Sequence, residues 1–221
     1  MKQAFRDKHE VAHNWANQTQ AHGGDSGNRI YFDCEVLYSY RAKIAVIYKE
    51  HYALITHRKY SQTTSSHISA AHSAASHKTI IECSDPYAAS KGEHKANVDD
   101  YINQILFIGA KLLNARKPEN YLHDIDNVKK EMHQYLELFE ITLSESQKAQ
   151  IEFTNREEYV ESVAKANEIA EKERKARLKK GKAFYNKWSA EWRKGEEIKL
   201  STKDAALKRE YEENQNSLEL S

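Results

Sequence analysis

The chain is poor in the residues that mark secreted, metal-stapled or nucleotide-binding proteins. Only two cysteines, Cys34 and Cys83, occur in 221 residues. Two are too few for a disulfide framework or a Cys-rich zinc site, and reduced thiols in a cytosolic protein are the ordinary reading. Glycine appears seven times, and the chain has no Gly-rich phosphate loop, Walker motif, dinucleotide fingerprint or Cys-x-x-Cys. That argues against the nucleotide-cofactor folds, and no cofactor is expected. The longest apolar stretch, Ile105 to Leu113, is broken by Gly109 and Lys111; it is far too short to span a bilayer. The opening MKQAFRDKHEVAHNW has no apolar h-region of a signal peptide. One-sided charge is missing too: 34 Lys and Arg stand against 33 Asp and Glu, a net of +1. No global field draws nucleic acid or anionic lipid, so any such binding must come from a local patch. Together these absences point to a soluble, cytoplasmic protein with no membrane partner.

What is present is enough apolar material for a core, 39% hydrophobic and 10% aromatic residues, in a chain that is 30% charged. Phe5, Val11, Trp15 and Ala16 suit a short amphipathic helix over 4 to 21, and the His22-to-Asn28 stretch reads as a flexible loop. Branched and aromatic residues from Ile30 to Thr56, divided by short polar turns, predict an antiparallel meander. Residues 62 to 76 read as a small-residue helix capped by Thr64 or Ser65, and residues 79 to 83 as a last strand. From about residue 95 the apolar period becomes 3.6, with Pro118 restarting a second helix. Residues 155 to 194 form one long helix with sparse apolar positions. The fold class is therefore α+β: a small antiparallel sheet with flanking helices, then a mainly helical C-terminal half with one long charged helix. The domain organisation read from this is an α+β head at 1–87, a helical region at 88–200 and a polar tail at 201–221 that frays.

Three constellations invite chemistry. His9-Glu10-Val11-Ala12-His13 matches H-E-x-x-H; residues four apart share a helix face, so His9 and His13 are candidate zinc ligands with Glu10 activating water. No third ligand is placed by any pattern, and an ordinary amphipathic helix is the favoured reading. Tyr60, Ser61, Thr63, Thr64 and His67 gather hydroxyls and an imidazole where a helix begins, a plausible anion or phosphate site. Helix capping with a polar surface is the plainer alternative. Glu171 to Lys182 holds seven Lys or Arg and two Glu, a local net of +5, followed by Phe184, Tyr185, Trp188 and Trp192. A basic, aromatic helix over 172–194 can hold phosphates and stack on bases through Arg174, Lys175, Arg177, Lys179, Lys180 and Lys182. Glu168, Glu171 and Glu173 sit at pairing distance from several of these, which is how a merely solvated helix is built.

Residues 5 to 77 resemble a family of uncharacterised proteins of bacteriophages and mobile elements. The resemblance rests on His13-Asn14-Trp15-Ala16-Asn17-Gln18, on Tyr31-Phe32 and Tyr38-Ser39-Tyr40, and on Tyr60-Ser61-Gln62-Thr63-Thr64-Ser65-Ser66-His67. Trp192-Arg193-Lys194-Gly195-Glu196 also fits. The pattern departs at Arg41-Ala42-Lys43-Ile44, where a glycine and a more aromatic turn are expected. The resemblance carries no activity. It implies a phage- or plasmid-type accessory role in the host cell cytoplasm. The leading reading is a non-enzymatic binding module for nucleic acid or a host protein. The alternatives are an oligomeric scaffold or inhibitor that self-associates through the long helix, and a zinc metallohydrolase using His9, Glu10 and His13.

Overall fold

Asp7 starts the first helix because its carboxylate accepts the His9 and Glu10 amides, at 2.9 and 3.1 Å, while Glu10 reaches back to the Arg6 amide at 2.7 Å. This reciprocal pairing satisfies donors that a first turn leaves open. The computed structural model describes residues 4–192 and 201–219. Within them the chain divides into two units. Residues up to Thr142 with Thr154–Arg156 form the first, and Leu143–Phe153 with the chain from Glu157 onward the second.

The first unit is built on seven strands in sequence order: β1 (Ala4–Phe5), β2 (His22–Asp25), β3 (Ile30–Asp33), β4 (Val36–Ser39), β5 (Ala42–Tyr48), β6 (Tyr52–Thr56) and β7 (Thr79–Cys83). Neighbours from β2 to β6 are antiparallel, as the short turns require. The two outer pairs are parallel. Each is joined through a crossover helix, α1 (Lys8–Ala16) for β1 and β2, and α2 (Gln62–Ala74) for β6 and β7. The sheet is thus larger than the sequence suggested, and its edges run parallel because a helix, not a turn, makes each connection.

The glycine-rich stretch expected to be a loop is strand β2. A Cβ on Gly23 would sit 2.3 Å from a Phe5 ring carbon, and one on Gly24 would sit 2.7 Å from the Tyr31 Cβ. These glycines mark the close approach of neighbouring side chains rather than a flexible turn.

The sheet is covered on both faces. Val11, Trp15 and Ala16 of α1 and Ala71 and Ala75 at α2 close over Phe32, Leu37, Ala45, Ile47, Ala53 and Ile55. Strand alternation turns Leu54, Ile81 and Cys83 to the opposite face. There lie α3 (Pro86–Ser90), α4 (Lys95–Leu112) and α5 (Pro118–Leu138). Asn97, fully buried, fastens α4: it accepts from the Ser84 hydroxyl at 2.8 Å and the Asp85 amide at 2.7 Å. It donates to the Asp85 carbonyl and the Tyr135 hydroxyl, each at 3.0 Å. Tyr101 donates to the Glu82 carbonyl. Among the described residues no buried side-chain polar atom lacks a partner, as a settled core demands.

The second unit is helical. Ser144 opens α6 (Glu145–Ile151) with a capping box to Gln147. The helix α7 (Arg156–Trp192) runs 37 residues, and α8 is Thr202–Glu219. Phe153 and Tyr159 meet edge-on at 5.0 Å. No helix of the described residues is long and apolar enough to cross a membrane.

Candidate functional site

The helix α2 begins at Gln62, where the sequence placed it, but its cap is neither Thr64 nor Ser65. Ser61 is the cap, accepting the Thr64 amide at 3.4 Å, while its carbonyl accepts the Ser65 amide at 2.9 Å. The amides of Gln62 and Thr63 have no acceptor among the described residues. Thr64 cannot cap because its hydroxyl is turned inward. Ser39, 1% exposed, donates to Thr64 Oγ1 at 3.1 Å, and its oxygen lies 2.8 Å from His67 Nδ1.

A cleft of about 500 Å³ lies between the start of α1 and the start of α2, with Lys8, His9, Arg29, Thr63, Ser66 and His67 among its walls. Lys8 Nζ bonds the Ser66 hydroxyl. Arg29 comes from the β2–β3 turn, where its amide and Nε bond the two oxygens of buried Asp25 at 2.7 and 2.8 Å. Burial works against the charge on Asp25, yet these Arg29 contacts hold its carboxyl below the usual carboxylate range. Burial lowers the His67 pKa below the ordinary 6.5, and the Lys8 and Arg29 charges add to this against the pull of Asp25. Hence the imidazole is neutral at neutral pH. The start of α2, Lys8, Arg29 and Arg6 thus face one hollow together with the carboxylates of Asp7 and Asp25, which pair with Arg6 and Arg29; the open α2 amides and Lys8 are what remain for an anion.

The sequence-predicted residues separate here. Thr63 lines the cleft and is exposed, whereas Ser61, also exposed, and Tyr60, 37% exposed, are not among its lining residues. Thr64 and His67 are buried beneath the cleft. Lys8, Arg6 and Arg29 carry its charge and were not singled out in the sequence, because only the folding of β1, β2 and α1 brings them to α2.

His9 and His13 are exposed on α1. Glu10 is engaged with the Arg6 amide, and His13 Nδ1 lies 3.4 Å from Asn17 Nδ2. They form no group of three convergent ligands; among the described residues the one such group is His22, Asp33 and Cys34.

On α7 much of the basic charge is already spent. Lys172 pairs with Glu168 at 2.6 Å, Arg174 holds Glu171 through two bonds at 2.9 and 3.0 Å, and Arg177 reaches Glu210 at 2.6 Å. Lys175 lies 3.5 Å from Glu171. The Glu171 carboxyl is pulled down to about 2, first by its bond from Arg174. Lys179, Lys180 and Lys182 are exposed and have no ion pair among the described residues. Lys208 Nζ sits 3.9 Å over the half-buried Trp188 ring. Arg193, Lys194, Gly195 and Glu196 lie outside the described residues.

Residues 9–87 match the model of a family of unknown function (DUF8033), a stretch that runs from α1 to the start of α3. The match carries neither an activity nor a source. No curated protein and no solved structure matches the chain.

Proposed function

We propose that this protein is a non-enzymatic binding module that grips phosphate groups of a nucleic acid in the cleft between the starts of α1 and α2. The observation that carries this reading is the convergence of the free Gln62 and Thr63 amides with Lys8 and Arg29 around a neutral imidazole. Thr63 supplies a hydroxyl donor in the cleft, Thr64 and His67 lie buried beneath it, and Ser61 and Tyr60, exposed just before α2, are next in reach along the chain. Hydrogen bonds to a charged group contribute roughly 1.5–3 kcal/mol each, so two or three of them give useful affinity. In the second unit, the lysines at 179, 180 and 182, free of ion pairs among the described residues, offer a separate electrostatic contact, with Arg174, Lys175 and Arg177 as weaker, partly neutralised contributors. The resemblance of residues 5 to 77 to bacteriophage and mobile-element proteins supports an accessory role in a host cytoplasm.

Fluorescence anisotropy with a labelled single-stranded oligonucleotide tests this. Binding should weaken with salt, with a logarithmic slope of about −0.7 per phosphate neutralised. Lys8→Ala should reduce affinity about tenfold, the loss of one charge-assisted contact. Replacing Lys179, Lys180 and Lys182 by alanine should flatten the salt slope. Absence of binding at low salt, or affinity indifferent to Lys8→Ala, contradicts the proposal.

A further inference from the structure

A second cluster lies at the other end of β2, independent of the cleft. His22 opens β2 and Asp33 closes β3, and the antiparallel register sets the two opposite each other. Directly opposed residues project from the same face, and His22 Nδ1 stands 2.8 Å from Asp33 Oδ1. Cys34 follows in the two-residue link to β4. Its backbone is left-handed, with φ at 49°, and its amide donates to the Ala21 carbonyl at 2.6 Å. That bond ties the turn to the residue just before His22. In consequence an imidazole nitrogen, a carboxylate oxygen and a thiol sulfur all lie within 4.8 Å of one another.

We propose that His22, Asp33 and Cys34 form a binding site for a borderline divalent transition metal of the Zn²⁺ class. The donor set decides the class. A thiolate with an imidazole and a carboxylate suits Zn²⁺ or Co²⁺, whereas Mg²⁺ and Ca²⁺ demand six or more oxygens. Spacing is compatible as well. Bonds of about 2.0–2.3 Å place the corners of a tetrahedral site about 3.3–3.8 Å apart. The observed separations, 2.8 Å for one pair and at most 4.8 Å for any, bracket that span, so side-chain rotation closes the site without moving the strands.

All three residues are exposed, so the ion reaches them without local unfolding. Three protein ligands leave the fourth position to water, the arrangement of an open site. A cleft of about 290 Å³ bordered by Gly24, Asn28 and Tyr31 adjoins the His22–Asp33 pair and leaves room for it. Binding releases the thiol proton to solvent as the sulfur–metal bond forms, so affinity rises with pH. A plain surface pair between His22 and Asp33 needs no cysteine next to it, and a left-handed turn position is better filled by glycine or asparagine.

The test uses the full chain, reduced and stripped with chelator, titrated with Co²⁺ and followed by absorption. One equivalent should give a thiolate-to-cobalt charge-transfer band in the near ultraviolet, and Zn²⁺ should displace it. Cys34→Ser should abolish the band with the far-ultraviolet circular dichroism unchanged. His22→Ala should weaken binding by more than about 100-fold, beyond the usual loss from a supporting residue. Three results overturn the proposal: no thiolate band at saturating Co²⁺; a band that survives Cys34→Ser; or a cobalt spectrum of nitrogen and oxygen ligands alone that disappears in His9→Ala or His13→Ala.

Discussion

Replacing Ser39 with alanine removes one hydroxyl and strands two buried partners. Ser39 is 1% exposed, and both Thr64 and His67 are 5% exposed. The hydroxyl at 3.1 Å from Thr64 Oγ1 and 2.8 Å from His67 Nδ1 joins β4 to the polar side of α2 through both of them. An ordinary hydrogen bond contributes about 1 kcal/mol net, while a buried donor left without an acceptor costs about 1–3 kcal/mol. The stranded group here is His67 Nδ1; Thr64 keeps a long contact with Ser61 at 3.4 Å. The expected loss is therefore about 2–3 kcal/mol. Because the chain holds two units, one unfolding curve does not isolate the first. Amide hydrogen exchange of the β4 and β5 strands does, for the amides that exchange only by global opening of that unit. At 1.4 kcal/mol per decade the protection should fall roughly 30- to 140-fold. A fall of less than about threefold would mean that water already satisfies His67, and the buried floor of the cleft would be wrong.

Gly23→Ala should destabilise the sheet by about 1–3 kcal/mol, since a Cβ there meets the Phe5 ring at 2.3 Å and the Phe32 ring at 3.1 Å; the same exchange measurement on Gly92→Ala, where the added carbon meets nothing, separates crowding from backbone strain. Asp7→Ala should cost about 1 kcal/mol by uncapping α1, and the amides of His9 and Glu10 should lose exchange protection; unchanged protection refutes the cap. Stability should also fall in mild acid. Burial holds the pKa of His67, and likewise that of His94, below the ordinary 6.5 in the folded chain. The unfolded chain therefore binds protons first as pH drops. This stability is complete above about 6.5 and is lost as pH falls toward the folded values. Protection factors of the β4 and β5 amides, corrected for intrinsic exchange, that stay constant from pH 7 to below 6 would contradict this.

The strands from Ile30 to Thr56 were legible because branched and aromatic residues recur with polar breaks, a local signal. Gly23 and Gly24 misled for a physical reason. Glycine reads as a loop residue from propensity alone, whereas here it is required by Phe5 and Tyr31, cross-strand neighbours that propensity does not encode. The parallel edges were hidden likewise, since β1 has two residues and no pattern of its own. At the cleft, the hydroxyl run from Ser61 to Ser66 announced a helix start. It did not reveal that Thr64 faces inward, nor that Lys8 and Arg29 arrive from elsewhere in the chain. On α7, pairing of Lys172 and Arg174 with Glu168 and Glu171 follows from helical spacing, while the Arg177–Glu210 pair depends on α8.

Whether an anion seats against the start of α2 is read most directly from the His67 imidazole resonance across a pH titration, with and without a saturating oligonucleotide. A phosphate held beside Lys8 and Arg29 should raise the depressed His67 pKa toward its ordinary value, because it offsets the cationic charges that lower it. An oligonucleotide that binds while the His67 titration stays where it was, or that fails to bind, contradicts the central claim.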